Sequence, residues 1–248
     1  MAIPEVPLSC CCDWGTMRIG ATAPDRDTPW CGLVGDKLYL QSGQFTSTVK
    51  TSQDVSAIDA TASDISWDGT NTPWCGTEAN KLYLQSGQFS STIKTSEGVS
   101  TIELSVNGIS WDGTNTPWCG LSDDKLYLQS GKFSSTMKTS QSINSVDEGP
   151  HGISWDGTDT PWCGQQAGKL YLQSGQFTST VKTSGSVGTV DAGPTGISWD
   201  GTNTLWGGTE ADKLYLQVGI TSTLLTSEDV SAIDTGVSGI NTNILTVG

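Results

Sequence analysis

The sequence predicts an all-β fold, a β-propeller of four-stranded blades, and three observations predict it. The motif "ISWDGTNTPWCG" starts at Ile65 and recurs unaltered at Ile109, with close variants at Ile153 and Ile197. Trp30, Trp74, Trp118, Trp162 and Trp206 follow one another every 44 residues, a period that belongs to solenoids and propellers. No segment keeps a 3.6-residue apolar period for three turns, and Gly, Ser and Thr abound, so the repeat is built from strands and turns.

Each unit reads as four strands. In the unit starting at Ile65 these are "ISWD" from Ile65, "TPWCGT" from Thr72, "KLYLQSG" from Lys81 and "FSSTIKTS" from Phe89. Asp-Gly and Ser-Gly turn signals separate the first from the second and the third from the fourth. In "KLYL", Leu82 and Leu84 point one way and Tyr83 the other, so both faces require cover. In the fourth segment Phe89 and Ile93 share one face, while Ser90, Thr92 and Lys94 share the other, as suits an outermost strand whose polar side chains protect an open edge. Apolar inner strands with a polar outer one describe a propeller blade, and a β-helix coil is much shorter than 44 residues.

The whole chain, 1–248, reads as a single propeller domain with units starting near residues 21, 65, 109, 153 and 197 and partial units at both termini. "GINTNILTVG" from Gly239 restarts the unit, and "VPLS" at Val6 to Ser9 stands where an outer strand would lead the first one. The chain ends therefore are expected to pair and close the ring. This count favours six blades, with five the alternative; "ATAPDR" replaces "ISWDGT" in the first unit either way.

Composition excludes several functions. Twelve basic against 26 acidic residues give a net charge of −14, which argues against nucleic acid, whose binding rests on Lys and Arg. No apolar run is long enough for a bilayer, so no membrane insertion is expected. "MAIPEVPLSCCCDWG" lacks the basic and apolar regions of a secretory signal, which leaves open the cytoplasm, a virus particle or a mature fragment and assigns no location. Cys31, Cys75, Cys119 and Cys163 share one repeat position, where the last unit has Gly207, and read as small buried fillers. The run Cys10, Cys11, Cys12 has no His or CxxC partner to suggest a metal. No cofactor and no metal are expected.

The "LWGGT" run from Leu205, followed by "KLYL" from Lys213, resembles short-blade propellers whose second strand carries a Trp-Gly-Thr signature. Trp67-Asp68 and its copies share a dipeptide with WD-repeat proteins. However, the dipeptide here opens the blade and lacks the upstream Gly-His pair, so the chain departs from that family. The near-identical blades are similar in architecture to tachylectin-2-type lectins, which implies a sugar site per blade. Their texture also resembles propeller segments of phage particle proteins, which implies a structural role.

Differences between copies fall in two windows. One lies between second and third strands ("LVGD" from Leu33, "TEAN" from Thr77, "LSDD" from Leu121). The other follows the fourth strand ("EGVSTIELSVNG" from Glu97, "QSINSVDEGPHG" from Gln141). Strand alternation puts both on one face of the disc and the constant "DGTNT" and "SGQF" turns on the other.

On that constant face the candidate ligand-binding residues are Trp67, Asp68, Thr70, Asn71 and Gln88, with Trp111, Asp112, Thr114 and Asn115. Trp155, Asp156 and Thr158 follow, then Trp199, Asp200, Thr202 and Asn203. An indole beside a turn offers a sugar a flat apolar surface, and the Asp, Thr, Asn and Gln groups offer hydrogen bonds to its hydroxyls. Trp74 and its copies read as packing between blades. No catalytic residue is expected: the lone His151 cannot found a mechanism, and no nucleophile elbow or phosphate loop appears. The expected function is a non-catalytic, multivalent recognition module for a glycan or surface polysaccharide, whose repeated weak sites add by effective concentration. The alternative is a structural or assembly protein of a phage particle, docking on virion proteins through the variable loops and termini.

Overall fold

The computed structural model describes residues 27–43, 48–89, 92–133, 136–177, 181–220 and 223–241. Among these residues no helix is long and apolar enough to cross a membrane. Twenty strands form five antiparallel four-stranded sheets. In chain order, β1 (Thr28–Gly32), β2 (Lys37–Gln41) and β3 (Val49–Asp54) begin the Trp30 blade. The Trp74 blade follows, with β4 (Ala62–Ile65), β5 (Asn71–Gly76), β6 (Lys81–Ser86) and β7 (Ile93–Gly98). The Trp118 blade holds β8 (Val106–Ile109), β9 (Asn115–Gly120), β10 (Lys125–Ser130) and β11 (Met137–Ser142).

The Trp162 blade holds β12 (Pro150–Ile153), β13 (Asp159–Gly164), β14 (Lys169–Ser174) and β15 (Val181–Ser186). The Trp206 blade holds β16 (Pro194–Trp199), β17 (Asn203–Gly208), β18 (Lys213–Val218) and β19 (Leu224–Asp229). The last strand, β20 (Val237–Ile240), completes the Trp30 blade by pairing with β1, Trp30 opposite Ile240.

The molecule is thus a five-bladed propeller, not a six-bladed one. The six-blade reading joined the two terminal partial units into a composite sixth blade beside five others. In the fold the C-terminal partial unit instead supplies, as β20, the inner strand that the first unit lacks, so those two make one blade. "VPLS" and Cys10 to Cys12 lie outside the described residues.

Two strand boundaries also differ from the expected ones. The first strand starts about three residues earlier, as β4 does at Ala62, and ends at the Ile of "ISWD" except in β16, so Ser-Trp-Asp mostly begins the turn. Phe89 precedes its strand, held at φ 59°, yet remains buried. The polar outer strand is as predicted: Lys94, Thr95 and Ser96 of β7 are exposed.

The core is repeated between neighbouring blades. Trp74 is fully buried against Leu38, Leu40 and Cys31 of the Trp30 blade, with Ile65, Tyr83 and Phe89 of its own. Trp118 sits likewise against Leu82, Leu84 and Cys75. Inside each blade the indole stacks on the Tyr opposite it in the next strand, Trp74 on Tyr83 with centroids 4.2 Å apart. That register places both rings on one face of the sheet, and the Leu residues on either side cover the other. Cys31, Cys75, Cys119 and Cys163 are buried free thiols within this packing.

Candidate functional site

The constant turn is fixed by its own aspartate. Asp68 Oδ1 accepts the N–H groups of Thr70 at 2.8 Å and Asn71 at 2.6 Å, and Asn71 Nδ2 donates to Asp68 Oδ2 at 3.3 Å. Gly69 between them has φ 91°, a value open to glycine without strain. Asp112 holds Thr114 and Asn115 in the same way, Asp156 holds Thr158 and Asp159, and Asp200 holds Thr202 and Asn203. The Thr residues are exposed and contribute backbone groups. Asn71 and Asn115 are buried and also accept from Lys94 and Lys138 at 3.2 Å.

Each turn carries a half-buried Trp, and the structure brings these tryptophans together, whereas the Thr and Asn residues of the turns and Asp200 do not line the space between them. Trp67, Trp111, Trp155 and Trp199 line a single cavity of about 470 Å³. The buried Ser66, Ser110, Ser154 and Ser198, with Asn241 of the completed blade, line it too. The aspartates Asp68, Asp112 and Asp156 belong to the same wall. Gln88 lies apart, exposed on the outer turn of the Trp74 blade.

Side chains at the position of Gln88 in the next two blades reach inward across the blade boundary. Lys132 Nζ meets Asp68 Oδ2 at 2.5 Å and stands 4.6 Å from the centroid of the Trp111 ring. Gln176 Nε2 donates to Asp112 Oδ2. Burial pushes the Asp68 carboxyl up, but Lys132 and the N–H groups of Asn71 and Thr70 outweigh burial and hold it below the ordinary range. The wall therefore contains an ammonium held jointly by a carboxylate and an indole face.

Beneath this cup the axis is plugged by Asp64, which sequence reasoning missed. Where β8, β12, β16 and β20 place Gly108, Gly152, Gly196 and Gly239, β4 places Asp64, fully enclosed. Its Oδ1 accepts Ile65 N–H at 2.8 Å and its Oδ2 accepts Ile109 N–H at 2.9 Å, with Ile153 and Ile240 donating as well. Burial pushes this carboxyl well up, against the pull of those N–H groups. The signal was one acid among glycines at a repeat position.

A second missed set lies on the variable face. Asp59, Glu103, Asp147, Asp191 and Asp234 recur every 43 or 44 residues inside a window that otherwise varies. Each carboxylate accepts the hydroxyl of the core Tyr: Tyr83 to Asp59 at 3.2 Å, Tyr171 to Asp147 at 2.9 Å, Tyr39 to Asp234 at 2.8 Å. Burial and the facing carboxylate push these Tyr hydroxyls up, so they remain donors. The Gly after each core Trp-Cys pair leaves room for the acid, since a Cβ on Gly76 would fall on the Asp59 carboxylate.

Fold and site together define a five-bladed propeller with an aromatic cup on its axis. Neither a protein-family model nor a curated protein matches the sequence. Solved structures do resemble it. A chain of the nidogen/laminin complex aligns with TM-score 0.56 at 12% identity, over 84% of this chain and 81% of that one. Myxococcus xanthus glutaminyl cyclase gives 0.52 at 10%, over 73% and 69%, and streptogramin B lyase gives 0.50 at 16%, over 84% and 66%. At such identities the likeness shows the propeller fold alone.

These neighbours correct one expectation. The chain was expected to be non-catalytic from its lone His151 and its missing nucleophile motifs. Two of the three similar propellers are enzymes, a cyclase and a lyase, so the propeller fold does not separate enzyme from non-enzyme, and the expectation is withdrawn.

Proposed function

We propose that the axial cup recognises a carbohydrate, with the indoles of Trp67, Trp111, Trp155 and Trp199 stacking on sugar rings and the floor hydroxyls bonding to theirs. The observation that carries this reading is the convergence of four half-buried indoles on one cavity of about 470 Å³, a volume suited to a small ligand. In this reading the repeats serve one ligand together and do not form separate sites. Asp68, Asp112, Asp156 and Asp200, with Thr70, Thr114, Thr158, Thr202, Asn71, Asn115 and Asn203, hold the turns that aim the indoles. The five-blade count agrees with the architecture of tachylectin-2-type lectins. The proposal also takes the repeats as one domain whose ring is closed by β20 on β1.

The test is a glycan array probed with folded protein and with the Trp67→Ala/Trp155→Ala double variant. A hit lost in the variant, with the circular dichroism spectrum unchanged, supports the cup. Silence across the array overturns the carbohydrate reading.

A second reading, docking on other proteins of an assembly such as a phage particle, has its own observation. Val34, Ile102, Leu104, Val146 and Val190 are exposed large apolar side chains, and all lie in loops of the variable face. Single exposed apolar residues are ordinary, but five on one face suit a protein contact. Changing Leu104 and Val34 to Ser should abolish co-assembly with such a partner and leave glycan binding intact.

A further inference from the structure

We propose that the variable loops of the Trp118 blade dock a basic segment of a protein partner, one that carries large apolar side chains among Lys or Arg. The inference deepens the second reading, docking through the variable face, and rests on it. Three loops make the surface: 102–105 before β8, 121–124 between β9 and β10, and 144–149 before β12.

Glu103 joins the first two loops. The other four blades have Asp at its position, as Asp59, Asp147, Asp191 and Asp234. Asp59 takes one N–H from each of its loops, Thr61 and Ala79, both at 3.2 Å. Glu103 is one methylene longer and takes two from each. It accepts Leu104 and Ser105 at 2.9 and 3.1 Å, and Ser122 and Asp123 at 2.9 and 3.2 Å. Asp124 ties on the third loop, accepting Gly149 N–H at 2.7 Å and the Asn144 side chain at 3.1 Å.

The loops so fixed present apolar side chains to solvent. Leu104 is 66% exposed, and Ile102 and Val146 are 40% and 41% exposed. Leu121, half-buried, reaches the third loop, its Cδ2 3.3 Å from where a Cβ on Gly149 would stand. At the positions of Leu104 and Leu121 the other blades have Ala60 and Thr77, Glu148 and Gln165, Ala192 and Thr209, and Thr235 and Leu33. Only the Trp118 blade has a large apolar residue at both. Holding the loops in place beforehand lowers the ordering cost when a partner covers them.

Charge selects the partner. Within these loops and the adjoining Lys125 the exposed acids are Asp123 and Glu148, and Lys125 is the one base, bonded to Asp123 at 2.9 Å. Glu148 forms no ion pair among the described residues. An acidic segment would set like charges against these carboxylates, whereas a basic one meets them with Lys or Arg while its apolar side chains cover Leu104.

The probes are two labelled amphipathic peptides of one pattern, Leu with Lys and Leu with Glu, titrated with the full chain by fluorescence anisotropy. The Lys peptide is expected to bind and the Glu peptide not. Leu104→Ser should weaken binding about tenfold. Glu148→Gln should weaken it about threefold and reduce its salt dependence. Val34→Ser, on the same face but in the Trp30 blade, should leave it unchanged. All three side chains are exposed, so an unchanged Tm is expected in each variant.

Lys-peptide binding that Leu104→Ser does not weaken overturns the proposal. Glu-peptide binding that is lost in Leu104→Ser overturns it too, and leaves the docking reading standing with a partner of the other charge. Binding of neither peptide overturns the proposal, and the co-assembly measurement alone then decides the docking reading.

Discussion

The Tyr39 hydroxyl donates to Asp234 Oδ2 at 2.8 Å across 195 residues of chain. The same pair in every other blade spans 24 residues, as Tyr83 to Asp59 does. The bond that is local elsewhere here ties the start of the described chain to its end, beside the β20–β1 pairing. Tyr39→Phe should cost about 1.5–3 kcal/mol, the worth of a buried bond to a charged acceptor, and lower Tm by several degrees. Removing residues from Val237 onward should cost far more, because β1 and Trp30 lose their cover. Denaturant unfolding of both variants measures the difference, and equal losses would show that β20 contributes nothing to closure.

Two glycine substitutions should part company. A Cβ on Gly120 would fall on the Glu103 side chain, which accepts Ser122 N–H at 2.9 Å and cannot withdraw without leaving buried donors bare. Gly120→Ala should therefore lose about 2–3 kcal/mol or more. Gly98, exposed on the outer β7, meets nothing within 4 Å. Gly98→Ala should be neutral or gain about 0.5 kcal/mol through the unfolded chain. Paired urea curves decide it.

Asp64 should matter more than any other single carboxylate. Replacing it by Ala strips an acceptor from buried N–H groups of Ile65, Ile109, Ile153 and Ile240, at a cost of about 3 kcal/mol or more. Its pH signature has a definite sign. Burial raises its folded pKa well above the ordinary 3.8, so between the two values the folded state binds more protons and stability falls as pH rises. The difference in unfolding midpoint between wild type and Asp64→Asn, followed upward from pH 4, should move against the wild type as pH rises, whatever other groups titrate in both proteins.

His151 should give the opposite slope. Burial lowers its pKa from 6.5 to about 4, against a hydrogen bond with Gln165 that raises it. The unfolded chain then binds more protons in that interval, so stability is lost as pH falls from 6.5 toward 4, by up to about 3 kcal/mol. His151→Gln should flatten that part of the acid limb. An unchanged limb would mean that the imidazole is not held neutral by its surroundings.

The fold was legible because its defining contacts are local or repeated. Trp74 and Tyr83 face each other across one hairpin, so alternation within a unit exposes the pair, and the 44-residue period multiplies it. The opposition of a constant and a variable face was legible for the same reason. The recurring acids were not, because Asp59 and Glu103 sit among residues free to vary, and their role shows only once Tyr83 and Tyr127 reach them. Asp64 was not legible either, because its N–H donors from Ile109, Ile153 and Ile240 belong to other units.

The sequence by itself determined the blade, its strands, the buried Trp positions and the residues of the constant turns, because these follow from side-chain alternation and turn chemistry within some 44 residues. Only the tertiary structure decided that there are five blades, that Trp67, Trp111, Trp155 and Trp199 face one another, and that Asp64 lies beneath them. Those facts depend on how sheets pack around an axis. The blade count follows from which strand covers β1, and the cup from five inner strands meeting at their closest approach. A residue's own neighbours along the chain carry no record of either.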